Sequence, residues 1–174
     1  MARKLKTFEV LGLRFRTTQT GAVSAFEEIN RAGPPDAMEV CRLLEIQTGE
    51  DEWLRLDTRA KVNEHIKERT GFVPAHAVLE AVLLAWSEVN TGFMRDWKPL
   101  KVPGYLRGDV EARVAPGIDP IIASLINSGK ANLRELEEYY SLEDAIRLFD
   151  VNMAANITQA DASYRAAKEA KSRR

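Results

Sequence analysis

Residues 7–16 read Thr7-Phe8-Glu9-Val10-Leu11-Gly12-Leu13-Arg14-Phe15-Arg16. Phe8 and Val10 alternate with Thr7 and Glu9, and Leu13 and Phe15 alternate with Arg14 and Arg16, which is the period-two pattern of strands with one apolar face. Leu11-Gly12 separates the two runs, and glycine supplies the positive φ that a tight hairpin needs. The segment predicts a β-hairpin. A hairpin alone is marginal in water, so this one must lie on helices or on another subunit.

Helical patterns follow it. Ala22, Val23, Phe26 and Ile29 share one helical face, and Gly33-Pro34 ends that segment. Pro35 suits the first turn of a second helix, with Asp36 and Glu39 near its positive end and Met38, Cys41, Leu44 and Leu43 on its buried face. Thr48-Gly49-Glu50-Asp51 reads as a turn and Trp53-Leu54-Arg55-Leu56 as a short strand. Asp57 or Thr58 then caps a third helix running to about Arg69, with Val62 and Ile66 inward and Thr70-Gly71 as its stop. Pro74 opens a fourth helix, apolar on most of its circumference, with Ala77, Val78, Ala81, Val82, Ala85 and Val89 on one stripe and Leu79, Leu83 and Trp86 on another. Such a helix is expected at the centre of the core, with Leu83 and Val82 buried and Leu83 the costlier to truncate.

From Lys98 to Gly117 the character changes. Pro99, Pro103, Gly104, Gly108, Pro116 and Gly117 punctuate a charged stretch, read as a linker. The expected organisation is a hairpin-plus-helical domain over 1–97, this linker over 98–117, and a helical region over 118–174. In the last part Asp119-Pro120 reads as cap and first helical residue before Ile121, Ile122, Leu125 and Ile126, and Asn132 caps a short helix carrying Leu133 and Leu136. Ser141-Leu142-Glu143-Asp144 approximates a capping box with Asp in place of Glu or Gln. No Gly or Pro occurs from Ser141 to Arg174, so one long helix is expected there. The fold class is mainly α (α+β): an N-terminal β-hairpin packed on a helical bundle, then a C-terminal helical region ending in a long helix.

Composition adds exclusions more than assignments. The chain has 174 residues, 45% hydrophobic and 29% charged, with 25 basic and 26 acidic side chains. A net charge of −1 excludes a protein driven onto nucleic acid by bulk charge. The basic start, Arg3, Lys4 and Lys6, is followed by no apolar run, so no secretory leader is expected, and the greasiest stretch, Ala75 to Trp86, is too short for a membrane span. The one cysteine, Cys41, cannot form an internal disulfide and suits a reducing cytoplasm.

Little in the chain carries bond-making chemistry. His65 has Glu64 and Glu68 nearby but no further ligand, and His76 stands alone, so no metal site is expected. Cys41 lies on an apolar helical face, where a buried, inert thiol is the reading. No P-loop, G-x-G-x-x-G or G-x-S-x-G motif is present, and runs such as Glu50-Asp51-Glu52 are ordinary solvated carboxylates. Neither catalytic residues nor a cofactor are expected. Arg3, Lys4, Lys6, Arg14 and Arg16 near one end and Lys168, Lys171, Arg173 and Arg174 at the other could meet phosphates, but no stacking aromatics are interleaved with them.

The aromatics are more informative. Phe93, Trp97 and Tyr105 sit at the end of the fourth helix and in the linker, and the long last helix carries a stripe of Phe149, Met153, Ile157 and Tyr164, interrupted by Asn152 and Asn156. The stripe is too apolar to be left in water and too thin for a solitary coil. Phe149, Met153, Ile157 and Tyr164, on a helix read as a partner- or self-binding arm, together with Phe93 and Trp97 are the six candidate partner-binding positions.

Three pieces of the chain resemble tail assembly chaperones of tailed bacteriophages. They are residues 7–16 with Thr20-Gly21-Ala22-Val23-Ser24-Ala25-Phe26; Trp53-Leu54-Arg55-Leu56 with Val62-Asn63-Glu64-His65-Ile66 and the helix ending Val89-Asn90-Thr91-Gly92-Phe93; and Tyr140-Ser141-Leu142-Glu143-Asp144-Ala145. The resemblance implies a non-enzymatic factor that coats the apolar, helical tape measure protein in the host cytoplasm and helps recruit tail tube subunits. The alternatives are a permanent virion component, such as a baseplate or head–tail connector subunit, and a small DNA-binding regulator suggested by the basic termini.

Overall fold

The computed structural model describes residues 3–68, 70–107 and 116–172. Arg69, the linker stretch 108–115 and the basic Arg173 and Arg174 lie outside the described residues, but the third helix, expected to run to about Arg69, already ends at His65. The fold is α+β. Strands β1 (Leu5–Val10) and β2 (Leu13–Thr18) form the hairpin, antiparallel with Val10 opposite Leu13. Leu11 and Gly12 both take positive φ, 49° and 76°, so the loop has the left-handed backbone whose twist suits a two-residue hairpin.

The hairpin does not stand alone. Strands β3 (Leu44–Gln47) and β4 (Trp53–Arg55) extend it into a four-stranded antiparallel sheet in the order β1-β2-β3-β4. This corrects the reading of the second helix. Helix α2 spans only Ala37–Cys41, capped by the Asp36 carboxylate, and Leu44 belongs to the sheet instead. Leu44 sits three residues after Cys41, which suits a helix, but Leu44 and Ile46 also alternate with Glu45 and Gln47, which suits a strand. Pairing of Leu44 with Thr17 and of Ile46 with Phe15 selects the strand. Leu43, expected on the buried face of that helix, is 47% exposed.

The sheet buries one face. Phe15, Ile46 and Val10 pack with Leu44, Leu56, Val40 and Cys41 under helix α4 (Ala75–Thr91). Helix α3 (Arg59–His65), capped by the Thr58 hydroxyl, adds Val62, and the chain leaves the helix at Ile66, which tucks into the same core. Helix α4 belongs to this core as expected, but through one face rather than most of its circumference. It presents Val78, Val82, Trp86 and Asn90 inward, one residue per turn, while Leu84 is 72% exposed. Val82 is fully buried, whereas Leu83, also expected in the core, is only half-buried against it, because the sheet reaches one side of the helix only.

A second core forms from helices α1 (Ala22–Asn30), α5 (Pro120–Asn127), α6 (Leu133–Glu138) and α7 (Leu142–Ser172). Ala22, Ala25 and Phe26 of α1 pack with Ile122, Leu125, Leu136, Leu142 and Ile146. Ile29, expected on the buried face of α1, is 45% exposed. The apolar cores therefore do not divide at residues 98–117, since α1 comes from before that stretch and packs with the helices after it.

Helix starts follow the local sequence. Asp119 accepts from the Ile121 N–H, and Asn132 with Glu135 forms a complete capping box. At α7 the Ser141 hydroxyl accepts from the Asp144 N–H at 3.2 Å and the Ser141 N–H donates to Asp144 Oδ2 at 3.4 Å, so the shorter Asp closes the box.

The two cores meet at Gly21. This residue bridges to Ser141, and the Ala22 N–H donates to the Tyr140 carbonyl at 2.9 Å. A Cβ on Gly21 would lie 2.0 Å from the Glu137 carbonyl oxygen, so only glycine fits this approach. Beside it Asn90 Oδ1 accepts from the Thr20 N–H at 2.9 Å, while Asn90 Nδ2 donates to the Trp86 carbonyl. That satisfies a buried amide and ties α4 to the start of α1.

Urea denaturation should rank three variants. Gly21→Ala should lose at least about 1–3 kcal/mol through backbone displacement. Leu56→Ala should lose about 2–5 kcal/mol from its fully buried site. Leu84→Ala should stay within about 0.5 kcal/mol of the parent. Parent-like stability of Gly21→Ala would show that the two cores are not in this close contact.

Candidate functional site

The apolar stripe of the last helix is the place to build from. Helix α7 has 31 residues, about 46 Å at ~1.5 Å per residue, far longer than its neighbours in the second core. Only its first third is buried. Leu142, Ala145 and Ile146 are core, Phe149 is half-buried against it, and from Ala154 to Ser172 every residue except Ile157 and Asp161 is exposed. Met153 and Ile157 continue the inward-facing line as half-buried residues, and Tyr164 is 45% exposed.

The segment after α4 brings the other aromatics to this line. A single 3₁₀ turn at Gly92–Arg95 carries Phe93 onto the second core, beside Phe149 and Trp97. Trp97 Nε1–H donates to Asp150 Oδ2 at 2.8 Å. The chain then runs along α7 to a second 3₁₀ turn at Gly104–Leu106. There the Tyr105 ring packs on Tyr164 with centroids 5.0 Å apart, and its hydroxyl donates to Asp161 Oδ1 at 2.8 Å. Arg165 pairs with the same carboxylate, also at 2.8 Å. The Tyr105 hydrogen bond, assisted by the Arg165 charge, holds the Asp161 carboxyl below its ordinary range, and Asp161 in turn raises the Tyr105 hydroxyl.

Residues 97–106 thus form a strap over the stripe. Of the six candidate positions, the structure gathers Phe93, Trp97 and Phe149 at the core end, where all three pack half-buried against the core. Met153 and Ile157 lie between the two anchor points, and Tyr164 takes part in the distal clasp. Tyr105, Asp150 and Asp161 were not among the candidates. An aromatic in a Pro/Gly-rich stretch was the visible signal for Tyr105, but its partner lies 56 residues away in sequence, and no local rule finds such a pair.

Among the described residues no group of three or more His, Cys, Asp or Glu side chains is placed to hold a metal ion. His65 Nε2 lies 3.8 Å from Glu64 Oε2. Among the described residues no helix is long and apolar enough to cross a membrane. Cys41 is buried, and burial, followed by the nearby Asp36 charge, pushes its thiol from 9.0 up to about 11. Comparison with protein-family models, with curated proteins and with solved structures finds no match for this chain.

Two measurements address this geometry. At pH 8 the raised thiol holds about 100-fold less thiolate than an ordinary one, so a disulfide reagent should modify Cys41 at least about 100-fold faster in the urea-unfolded chain than in the native one. Comparable rates would mean that Cys41 is accessible and activated. Removing the strap's anchors with Tyr105→Ala and Trp97→Ala should leave the sheet's amide-exchange protection unchanged and accelerate exchange across residues 154–172, since a helix packed along so little of its length frays. Unchanged protection there would mean that the strap does not hold the arm.

Proposed function

We propose that the chain is a non-enzymatic assembly factor of a tailed bacteriophage, a tail assembly chaperone acting in the host cytoplasm. It would hold an apolar helix of the tape measure protein along α7 and help recruit tail tube subunits. The observation that carries this reading is the exposed length of α7, which supports a helix-in-groove mode of binding. In the free chain the strap packs on Tyr164 at the distal end of the stripe. A partner helix of matching apolar spacing would displace the strap and take over its contact with Tyr164. The resemblance of residues 7–16, 53–66 and 140–145 to this chaperone family points the same way.

A permanent virion component, a baseplate or connector subunit, is the second reading. It is favoured by the double anchoring of the strap, Trp97 to Asp150 and Tyr105 to Asp161, which holds the arm in one orientation. The two readings separate on the purified particle, from which a chaperone is absent and in which a subunit has a fixed copy number.

The binding test uses the distal half of the stripe, because Phe149 packs against the core. Ile157→Ser with Tyr164→Ser should leave circular dichroism and the denaturation midpoint nearly unchanged. It should weaken co-purification with co-expressed tape measure protein by a factor of hundreds, as expected for two anchors worth roughly 2 kcal/mol each. Full retention of binding would remove α7 as the partner site.

A further inference from the structure

The face of the sheet turned away from α4 is polar. Across it the register places Arg16 opposite Glu45 and Glu45 opposite Arg55. Where this face meets the start of α1, a cavity of about 650 Å³ opens. It is lined by Arg3, Arg16 and Arg55, by the hydroxyl-bearing Thr18 and Ser24, and by one acidic side chain, Glu45. Arg16 is held in place, with Nε on Glu45 Oε2 at 2.5 Å and its guanidinium 4.5 Å from the centre of the Trp53 ring. Arg3 and Arg55 have no acidic partner among the described residues, and Arg55 Nε donates only to the Arg42 carbonyl. Three arginines against one carboxylate leave the cavity short of negative charge.

The complementary shape lies on the same chain. The loop between β3 and β4 carries Glu50, Asp51 and Glu52, all exposed and none in an ion pair among the described residues. This tip is ordered by the Thr48 N–H donating to the Glu52 carbonyl at 2.9 Å and by Gln47 Nε2 donating to the Glu50 carbonyl. It leaves the sheet from Gln47 and Trp53, whereas the cavity lies at the opposite end of the same strand pair, at Leu43 and Arg55. The tip of one chain therefore cannot enter its own cavity.

We propose that the acidic β3–β4 tip of one copy seats in the arginine cavity of a second copy. The contact joins two different patches, so it is heterologous and repeats from copy to copy until a ring closes or a filament grows. A nucleic acid is the less suitable occupant. No aromatic side chain lines the cavity to stack a base, and the chain's net charge of −1 offers no extended positive track. The contact does not depend on the assembly role proposed above, because α7 takes no part in it.

Light scattering on the full chain tests this by charge reversal. In about 0.05 M salt the parent's average mass should rise with concentration above the 19.5 kDa monomer, and in about 0.5 M salt it should fall back, since exposed pairs are screened. Arg3→Glu with Arg55→Glu should abolish the rise, as should Glu50→Arg with Asp51→Arg. Circular dichroism confirms folding, and Arg3→Gln with Arg55→Gln serves if the Glu variant does not fold. Mixing the two reversed variants should restore association, since the native tip of the first meets the native cavity of the second and the basic tip of the second meets the acidic cavity of the first. A parent that is monomeric at every concentration overturns the proposal, as does association that survives either reversal or a mixture that stays monomeric. A labelled single-stranded oligonucleotide that binds the monomeric parent and is lost on Arg3→Glu with Arg55→Glu would assign the cavity to nucleic acid instead.

Discussion

A close backbone approach at Gly21 joins the two apolar cores, and the arrangement of the helices around it follows from that contact. With no side chain there, the strand leaving β2 comes against the end of α6, near enough that a methyl group would overlap the Glu137 carbonyl. That contact turns the chain directly from the first core into the second. The Ala22 and Arg3 amides then find their acceptors on Tyr140 and Tyr139 rather than in water. The Asn90 side chain closes the same corner from α4, so polar groups that would be orphaned at the joint between two apolar cores are paired.

This joint also explains the position of the long helix. Because α1 packs on α7 near Ala145 and Ile146, the base of α7 is clamped between α1 and α5 while its far end has no core to join. A polar, alanine-rich helix of that length gains little from water alone. The strap supplies the missing contacts through two aromatic residues that each offer an apolar body and a hydrogen-bond donor, Trp97 and Tyr105. Such contacts are local and mostly solvent-exposed, so they hold an orientation without adding greatly to global stability. That is the physical character suited to a surface that exchanges an internal partner for an external one.

The sheet shows the same division of labour between its two faces. Phe8 stacks on Phe15 at 5.4 Å on the covered face, and the other face carries the Arg16–Glu45–Arg55 row. An antiparallel sheet tolerates this because its hydrogen bonds are satisfied within the ladder, and only side chains decide which face meets water.

Local chemistry was legible in the residues themselves. The Leu11-Gly12 turn, the Thr58, Asp119 and Asn132 caps, the Ser141–Asp144 box and the unbroken helix after it all depend on neighbours within about four residues, which is the range over which backbone geometry and capping act. The six candidate partner positions were visible as a stripe with two aromatics nearby, but not which of them the protein buries for itself. Tertiary contact decided three things that no short window contains: that Leu44 continues a sheet rather than a helix, that α1 deserts the strands beside it for helices almost a hundred residues later, and that Tyr105 reaches Asp161. In each case the local pattern allowed two outcomes of similar energy. The choice fell to apolar burial or a hydrogen bond whose partner is distant in sequence and close only once the chain has folded.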